Sequence, residues 1–210
     1  MAIRRFPCVD KADKHGLLAI GGDLEVESLL LAYRNGIFPW PYDEEALTWF
    51  APPKRAVLLL NEFHVSKSLE RVLKRTDFCC RMDTDFRSVI EQCAELKNRG
   101  NQSGSWITDE MVDAYCEMFR QGYAHSFEAY CEEKLVGGIY GVQIGRFFGA
   151  ESSFYREPNA SKVAMCFMAD YLRQQGMSWF DCQVLTPFSE NFGAREISRV
   201  EFMGMLAEVV

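Results

Sequence analysis

The sequence predicts an α/β protein, with helices flanking a mixed β-sheet and a small turn-rich unit ahead of it. Two observations lead to this class. From residue 78 onward, runs of strand composition and segments of helical period follow one another in the order β-α-α-β-β-β-α-β. Earlier in the chain only short elements fit, because "IFPWPYDEEALTWFAPPKRAVLLL" holds four prolines and excludes a long helix. We expect a small N-terminal domain over 1–62 and the sheet domain over 63–210.

Taken in order, "LLAI" (17–20) is a short apolar strand followed by two glycines. "LEVESLLLAYRNG" has helical period, an acidic first turn, and Gly36 at its C-terminal cap. Trp40, Trp49 and Phe50 then cluster and read as a small aromatic core. "HVSKSLERVLKR" (64–75) is the clearest amphipathic helix, with Val65, Leu69 and Val72 on one face. Lys67, Arg71, Lys74 and Arg75 line the opposite face, which fits either a solvated surface or a ridge that meets phosphates.

Beyond this helix, "FCCRMD" reads as a strand, "FRSVIEQCAELKNR" as a helix and "GNQSG" as a flexible loop. "TDEMVDAYCEMFRQG" is a helix opened by a Thr–Asp cap. Two strands follow, joined by a turn at Glu133-Lys134, and then a third, "FFGAESSFY". "NASKVAMCFMADYLRQQG" is a long, nearly all-round apolar helix closed by Gly176. "SWFDCQV" is the next strand, and "EFMGMLAEVV" a terminal helix.

Composition excludes several classes. Apolar residues make up 48% and charged residues 25%, which is globular rather than disordered. No apolar run reaches the roughly 18 residues of a membrane span, and the first residues lack the apolar core of a secretory signal. Eight scattered cysteines without a C-x-x-C pair read as reduced, mostly buried thiols of a cytoplasmic protein. Three distant histidines make a structural zinc site an unfavoured reading. The net charge of −7 argues against nucleic acid, but residues 54–75 carry six basic and two acidic side chains. Screening limits the reach of distant charges to roughly 10 Å, so a local basic patch can still hold phosphate.

"WFDCQVLTPF" poses the sharpest question, because Asp181 and Gln183 sit two apart and share one face of an otherwise apolar strand. The element order is similar to the acetyltransferase-like fold called GNAT, in which the strand after the long helix lies near the centre and borders the substrate cleft. A polar pair there is either satisfied within the protein or waits for a substrate. GNAT enzymes cradle the CoA pyrophosphate on a glycine-rich turn before the long helix. Here that connection reads "SSFYREPNASK": it has no glycine, and Pro158 removes one N–H donor. The fold thus resembles an acyl-CoA enzyme while its cofactor loop is missing, so no acetyl-CoA and no other cofactor is expected.

Eight motifs in order make the resemblance specific: "GLLAIGGDL", "LLLAYRNGIFPW", "HVSKSL", "SWIT", "LVGGIYGV", "NASKVA", "DCQV" and "GAREISR". The set resembles the bacterial leucyl/phenylalanyl-tRNA–protein transferase family over nearly the whole chain. The resemblance implies transfer of Leu or Phe, and by similar volume Met, from charged tRNA to proteins beginning with Arg or Lys. Such proteins enter degradation by the N-end rule pathway. It further implies that Gln183 contacts the attacking α-amine, with Asp181 orienting it or relaying the proton. Glu151 is implied to pair with the basic side chain of the acceptor, and Ser152 beside it to line the substrate site. Trp49 and Trp106 match aromatics beside the aminoacyl-adenosine, and Lys67, Arg71, Lys74 and Arg75 become candidates for tRNA phosphates. A non-catalytic tRNA-binding paralogue and an N-acetyltransferase are the alternative readings.

Several positions depart from the family pattern. Ala150, Ser153 and Tyr155 stand where Gly, Met and Ser are usual, and all three flank Glu151. Phe188 replaces a frequent His, "EVES" replaces a Ser-Pro helix start, and "GNQSG" precedes Ser105-Trp106. The changes around Glu151 bear on the choice of aminoacyl group more than on the reaction type.

Overall fold

The computed structural model describes residues 2–40, 46–75, 78–95, 98–99, 102–103 and 106–210, with the side chains of 75, 98–99 and 102–103 left out. In chain order the first elements are β1 (Leu17–Ile20), α1 (Val26–Arg34), β2 (Phe38–Pro39), β3 (Thr48–Phe50), β4 (Lys54–Leu59) and α2 (Lys67–Arg75). Next come β5 (Cys79–Met82), α3 (Phe86–Ala94), β6 (Asn98–Arg99), β7 (Gln102–Ser103) and α4 (Asp109–Arg120). The remainder holds β8 (Ala124–Cys131), β9 (Lys134–Ile144), β10 (Phe147–Tyr155), α5 (Ala160–Gln174), β11 (Trp179–Gln183), α6 (Pro187–Glu190), β12 (Arg195–Ser198) and α7 (Arg199–Ala207).

Local chemistry sets the helix starts. Asp85, Thr108 and Ser198 each accept a backbone N–H from three residues ahead, capping α3, α4 and α7. Gly36 follows α1 at φ +71°, a left-handed conformation that costs other residues a steric penalty. The β8–β9 turn lies on Glu132 and Glu133, both at positive φ, one residue earlier than the sequence predicts. Within the "GNQSG" segment, Gln102 and Ser103 form a strand paired with β6, so part of the predicted loop is a two-stranded ribbon.

Seven strands form one sheet in the order β12-β4-β11-β10-β9-β8-β5. The pairs are antiparallel except β10 with β11. A second sheet, β1-β3-β2, belongs to the N-terminal segment. Two features of the large sheet depart from the sequence expectation. Arg195–Ser198 adds an edge strand, and β4 lies between β11 and β12, although its residues fall within the expected N-terminal unit of 1–62. The alternation in "KRAVLL" is too short to say which sheet it joins; long-range pairing decides that.

The sheet has an apolar layer on each side. α5 and α2 cover one face, where Leu69 of α2 joins Met168, Phe180 and Phe148. The helices α1, α3, α4 and α7, with the small sheet, cover the other, around Tyr33, Trp49, Phe86, Tyr115 and Phe202. Close strand packing beside β10 demands glycine at Gly141, where a Cβ would run into the Gly149 carbonyl oxygen and lie 2.5 Å from the Phe148 ring. Gly141→Ala should therefore cost about 1–3 kcal/mol or more by overpacking. A urea midpoint unchanged from the wild type would refute that close approach.

Candidate active site

The site begins where the parallel pair β10–β11 comes apart. The two strands are in register only at Gly149 and Asp181. Immediately beyond, both are irregular. On β10 the register against β9 shifts between Ala150 and Ser152, leaving Glu151 as the extra residue. On β11 it shifts against β4 between Asp181 and Gln183, leaving Cys182 extra. Such bulges bend a strand and re-aim its side chains. Here they turn Glu151 and Gln183 toward each other across the gap, and the Gln183 Nε2 donates to Glu151 Oε1 at 2.7 Å.

Asp181 is held differently from its strand neighbour. It is 0% exposed and receives Arg55 from β4, itself 2% exposed, through Nε at 2.9 and 3.1 Å and Nη2 at 2.6 Å. The guanidinium also donates to the Gly36 carbonyl and lies 4.4 and 4.6 Å from the centroids of Phe38 and Phe202. A third donor to Asp181 is the backbone N–H of Gln183, at 2.7 Å. Both carboxylate oxygens are thus occupied, and Asp181 acts as a brace. What it braces is strained: Gln183 has φ +60°, and the Val184 N–H donates to the Cys182 carbonyl at 2.7 Å, a tight γ-turn of the rare positive-φ kind. The polar pair on one face of a core strand is therefore one residue that fixes the strand end and one that reaches across to Glu151.

Among the described residues no cation is hydrogen-bonded to Glu151. It is 8% exposed, and its partners are the Gln183 amide and the Tyr115 hydroxyl, which donates to Oε2 at 3.4 Å. Tyr115 in turn shares a hydrogen bond of 2.5 Å with the Tyr33 hydroxyl, and both rings are buried. Burial pushes the Glu151 carboxyl up to about 7. The hydrogen bonds from Gln183 and Tyr33 oppose the rise, nearby Asp181 adds to it, and Arg55 counters it. The same burial, reinforced by the Glu151 charge, raises both phenols well above their ordinary value.

A cavity of about 490 Å³ adjoins this centre, lined by Leu17, Phe38, Trp40, Phe50, Pro52 and Val184, with Asp13 and His15 also on its wall. Phe38 touches Arg55 and Val184 follows Gln183, so the cavity abuts the braced turn. Trp40 and Trp106, both half-buried, sit 6.1 Å apart at 34°. Trp49 does not join them. It is 0% exposed, donates its indole N–H to Gly21 and packs on Phe6, so neither face is open to a base. In the same segment Trp40 of "IFPW" is only half-buried and lines the cavity, where Trp49 does not.

The other predicted site residues divide. Ser152 is buried, with an Oγ that has no hydrogen-bond partner among the described residues. Lys67, Arg71 and Lys74 are exposed on α2, without an ion-pair partner among the described residues; the Arg75 side chain lies outside them. Because α2 packs on α5, these cations belong to the layer opposite Tyr33 and Tyr115, and the structure does not bring them to the Glu151–Gln183 pair. Arg55, Tyr33, Tyr115 and Trp40 are contributors that sequence reading missed. Of the eight cysteines three are buried and two exposed, fewer buried than expected. Among the described residues, no group of three or more His, Cys, Asp or Glu is placed to hold a metal ion, and no helix is long and apolar enough to cross a membrane. The β10–α5 connection ends at Asn159, at φ +73°, whose side chain caps no N–H.

A mixed sheet whose parallel strands splay beside a cleft, with a long helix leading into the second of them, defines the GNAT-like class. FemX shares this fold, with a TM-score of 0.55 and 10% identity over 82% of this chain and 66% of that one. Models of the leucyl/phenylalanyl-tRNA protein transferase and of its N-terminal domain match residues 57–207 and 22–53. A leucyl/phenylalanyl-tRNA–protein transferase of Flavobacterium johnsoniae is 45% identical, over 96% of this chain and 94% of its own length. One from Anaeromyxobacter sp. (strain K) is 48% identical, over 98% and 88%. The chain belongs to the leucyl/phenylalanyl-tRNA protein transferase family.

Two outcomes follow from the geometry. Arg55→Met should leave Asp181 buried and unpaired and cost about 3–5 kcal/mol, read as a lowered urea midpoint; a loss under 1 kcal/mol would contradict the bracing role. Glu151 binds a proton more tightly folded than unfolded, so its contribution to stability falls as pH rises from about 4.5 to about 7. Glu151→Gln removes that slope. Relative to wild type it should gain on the order of 3 kcal/mol between pH 5 and pH 8. Parallel stability–pH curves would show that the carboxyl is not perturbed.

Proposed function

We propose that the chain moves leucine or phenylalanine, with methionine as a third substrate, from aminoacyl-tRNA to the α-amine of proteins beginning with Arg or Lys. In the cytoplasm this marks them for degradation by the N-end rule pathway. The observation that carries the reading is the Gln183–Glu151 pair at the end of the splayed strands, beside an apolar cavity. An aminoacyl ester is already activated, so the protein's task is to place an amine against it and handle one proton. With its Nε2 donated to Glu151, Gln183 keeps its amide oxygen to accept from the incoming amine.

The cavity wall of Leu17, Phe38, Phe50 and Val184 suits an apolar side chain, whether γ-branched, unbranched or aromatic. One methylene alters binding in such a pocket by only about 1–3 kcal/mol, which supports breadth among Leu, Phe and Met. Trp40 on the cavity wall and Trp106 beside it offer stacking surface to the terminal adenosine, and the exposed cations of α2 offer contacts to more distant phosphates. The glycine-free connection before α5 supports a reaction without acetyl-CoA.

The test is transfer of labelled Leu, Phe and Met from tRNA to peptides beginning with Arg, Lys, Ala or Asp. Label on the Arg and Lys peptides alone is the expected result; tRNA binding without transfer to any peptide would overturn it. The tryptophans give a second check. Trp40→Ala and Trp106→Ala should each weaken aminoacyl-tRNA binding by about 1–3 kcal/mol at unchanged stability. Trp49→Ala should instead cost about 3–5 kcal/mol of folding stability. A reversed pattern would return Trp49 to the substrate.

A further inference from the structure

We propose that Glu151, rather than Asp181, receives the proton released by the attacking α-amine, and that the Tyr33–Tyr115 hydroxyl pair holds the carboxyl group in place through both of its protonation states. This rests on the transfer reaction proposed above. Asp181 is a poor candidate on geometry, because Arg55 and the Gln183 N–H together occupy both of its oxygens and it has no surface on the cleft. Glu151 is the extra residue of the β10 bulge, in direct contact with the one side chain placed to meet the amine. Its partners are all neutral, so neither ionic state leaves a counter-charge stranded.

The tyrosines add a property that a single donor would lack. In the 2.5 Å contact of Tyr33 with Tyr115 either hydroxyl can donate. While Glu151 is ionised, Tyr33 donates to Tyr115 and Tyr115 donates to Oε2. Once Glu151 is protonated, its O–H donates to Tyr115 and Tyr115 donates to Tyr33, so the chain reverses without moving a heavy atom. Tyr33 comes from α1 and Tyr115 from α4, so two helices distant in sequence meet on this carboxylate.

The step balances as follows. The neutral amine nitrogen forms a bond to the ester carbonyl carbon, and one N–H proton passes to a Glu151 oxygen. The bond from that carbon to the ribose oxygen then breaks, and the departing oxygen takes the proton from Glu151. An amide and a tRNA hydroxyl result, and Glu151 is again ionised. The groups that face it are Tyr33 of α1, Tyr115 of α4, Arg55 of β4, and Asp181 and Gln183 of β11. Burial holds Glu151 half-ionised at about 7, close to the working pH that suits a general base.

The experiment is the single-turnover rate of transfer from Phe-tRNA to an Arg-initiated peptide at saturating peptide, from pH 5.5 to 9. Wild type, Glu151→Gln, Glu151→Asp, Tyr33→Phe, Tyr115→Phe and Asp181→Asn are compared. For wild type the rate should rise with pH through a limb near 7 and level off. Glu151→Gln should lose about 10²-fold or more in rate, abolish that limb and leave the peptide KM within about threefold, whereas Glu151→Asp should be slowed but keep the limb. Tyr115→Phe should move the limb to higher pH, because the ionised carboxylate loses a donor, and Tyr33→Phe should move it in the same direction but less, because Tyr115 keeps its contact with Oε2. A limb that stays in Glu151→Gln and tracks the acceptor's amine, or one that vanishes in Asp181→Asn alone, overturns the proposal. So does a full rate at saturating peptide with a raised KM for Arg and Lys peptides, which would make Glu151 the partner of the acceptor's side chain. Wild-type protein that transfers nothing would instead refute the transfer reaction itself.

Discussion

The Arg55–Asp181 ion pair is the constraint on which the site depends. It joins β4 to β11 across the sheet, reaches the end of α1 through the Gly36 carbonyl, and places a guanidinium between Phe38 and Phe202. A buried pair of this kind is costly to desolvate and stabilises the fold only when its remaining donors and acceptors are satisfied. Here they are satisfied by backbone groups that need fixing. The positive φ of Gln183 persists because Asp181 accepts its N–H, and the Gln183 carboxamide reaches Glu151 because the strand ends there in a tight turn.

Function is thereby separated from stability within three residues of one strand. Asp181 belongs to the scaffold, Cys182 is the bulged residue, and Gln183 belongs to the cleft. The matching irregularity on β10 isolates Glu151 in the same way. Parallel neighbours that part after one shared register position leave unpaired strand ends, which in an ordinary sheet would be a defect. In this chain the gap holds the Gln183–Glu151 pair, and burial around it raises the Glu151 carboxyl to about 7.

The cavity and the α2 surface sit on different sides of the problem. The cavity draws its wall from the small sheet, from the segment between α1 and β3, and from the residue after Gln183, so the N-terminal segment completes a site whose polar centre lies in the large sheet. The cations of α2 lie in the opposite layer, where only a substrate much larger than an amino acid could touch both. That arrangement accords with a tRNA whose acceptor end and phosphates extend well beyond the reacting ester.

The amino-acid sequence by itself determined most of the elements, the family and the polar pair on β11, but not the edge strand β12 or the β6–β7 ribbon. Amphipathic period, caps and prolines act over a few residues, and ordered motifs such as "IFPW", "NASK" and "DCQV" persist whatever the packing. Local pattern also exposed the glycine-free turn before α5. It did not disclose that Arg55 pairs with Asp181, 126 positions away, or that Tyr33 meets Tyr115, 82 away. Nor could it tell which of Trp40 and Trp49 keeps an open face, or that β4 enters the large sheet between β11 and β12. Those outcomes depend on strand pairing and close packing between distant segments. Tertiary structure alone decided them, because burial and hydrogen-bond satisfaction are properties of the assembled core and carry no local period.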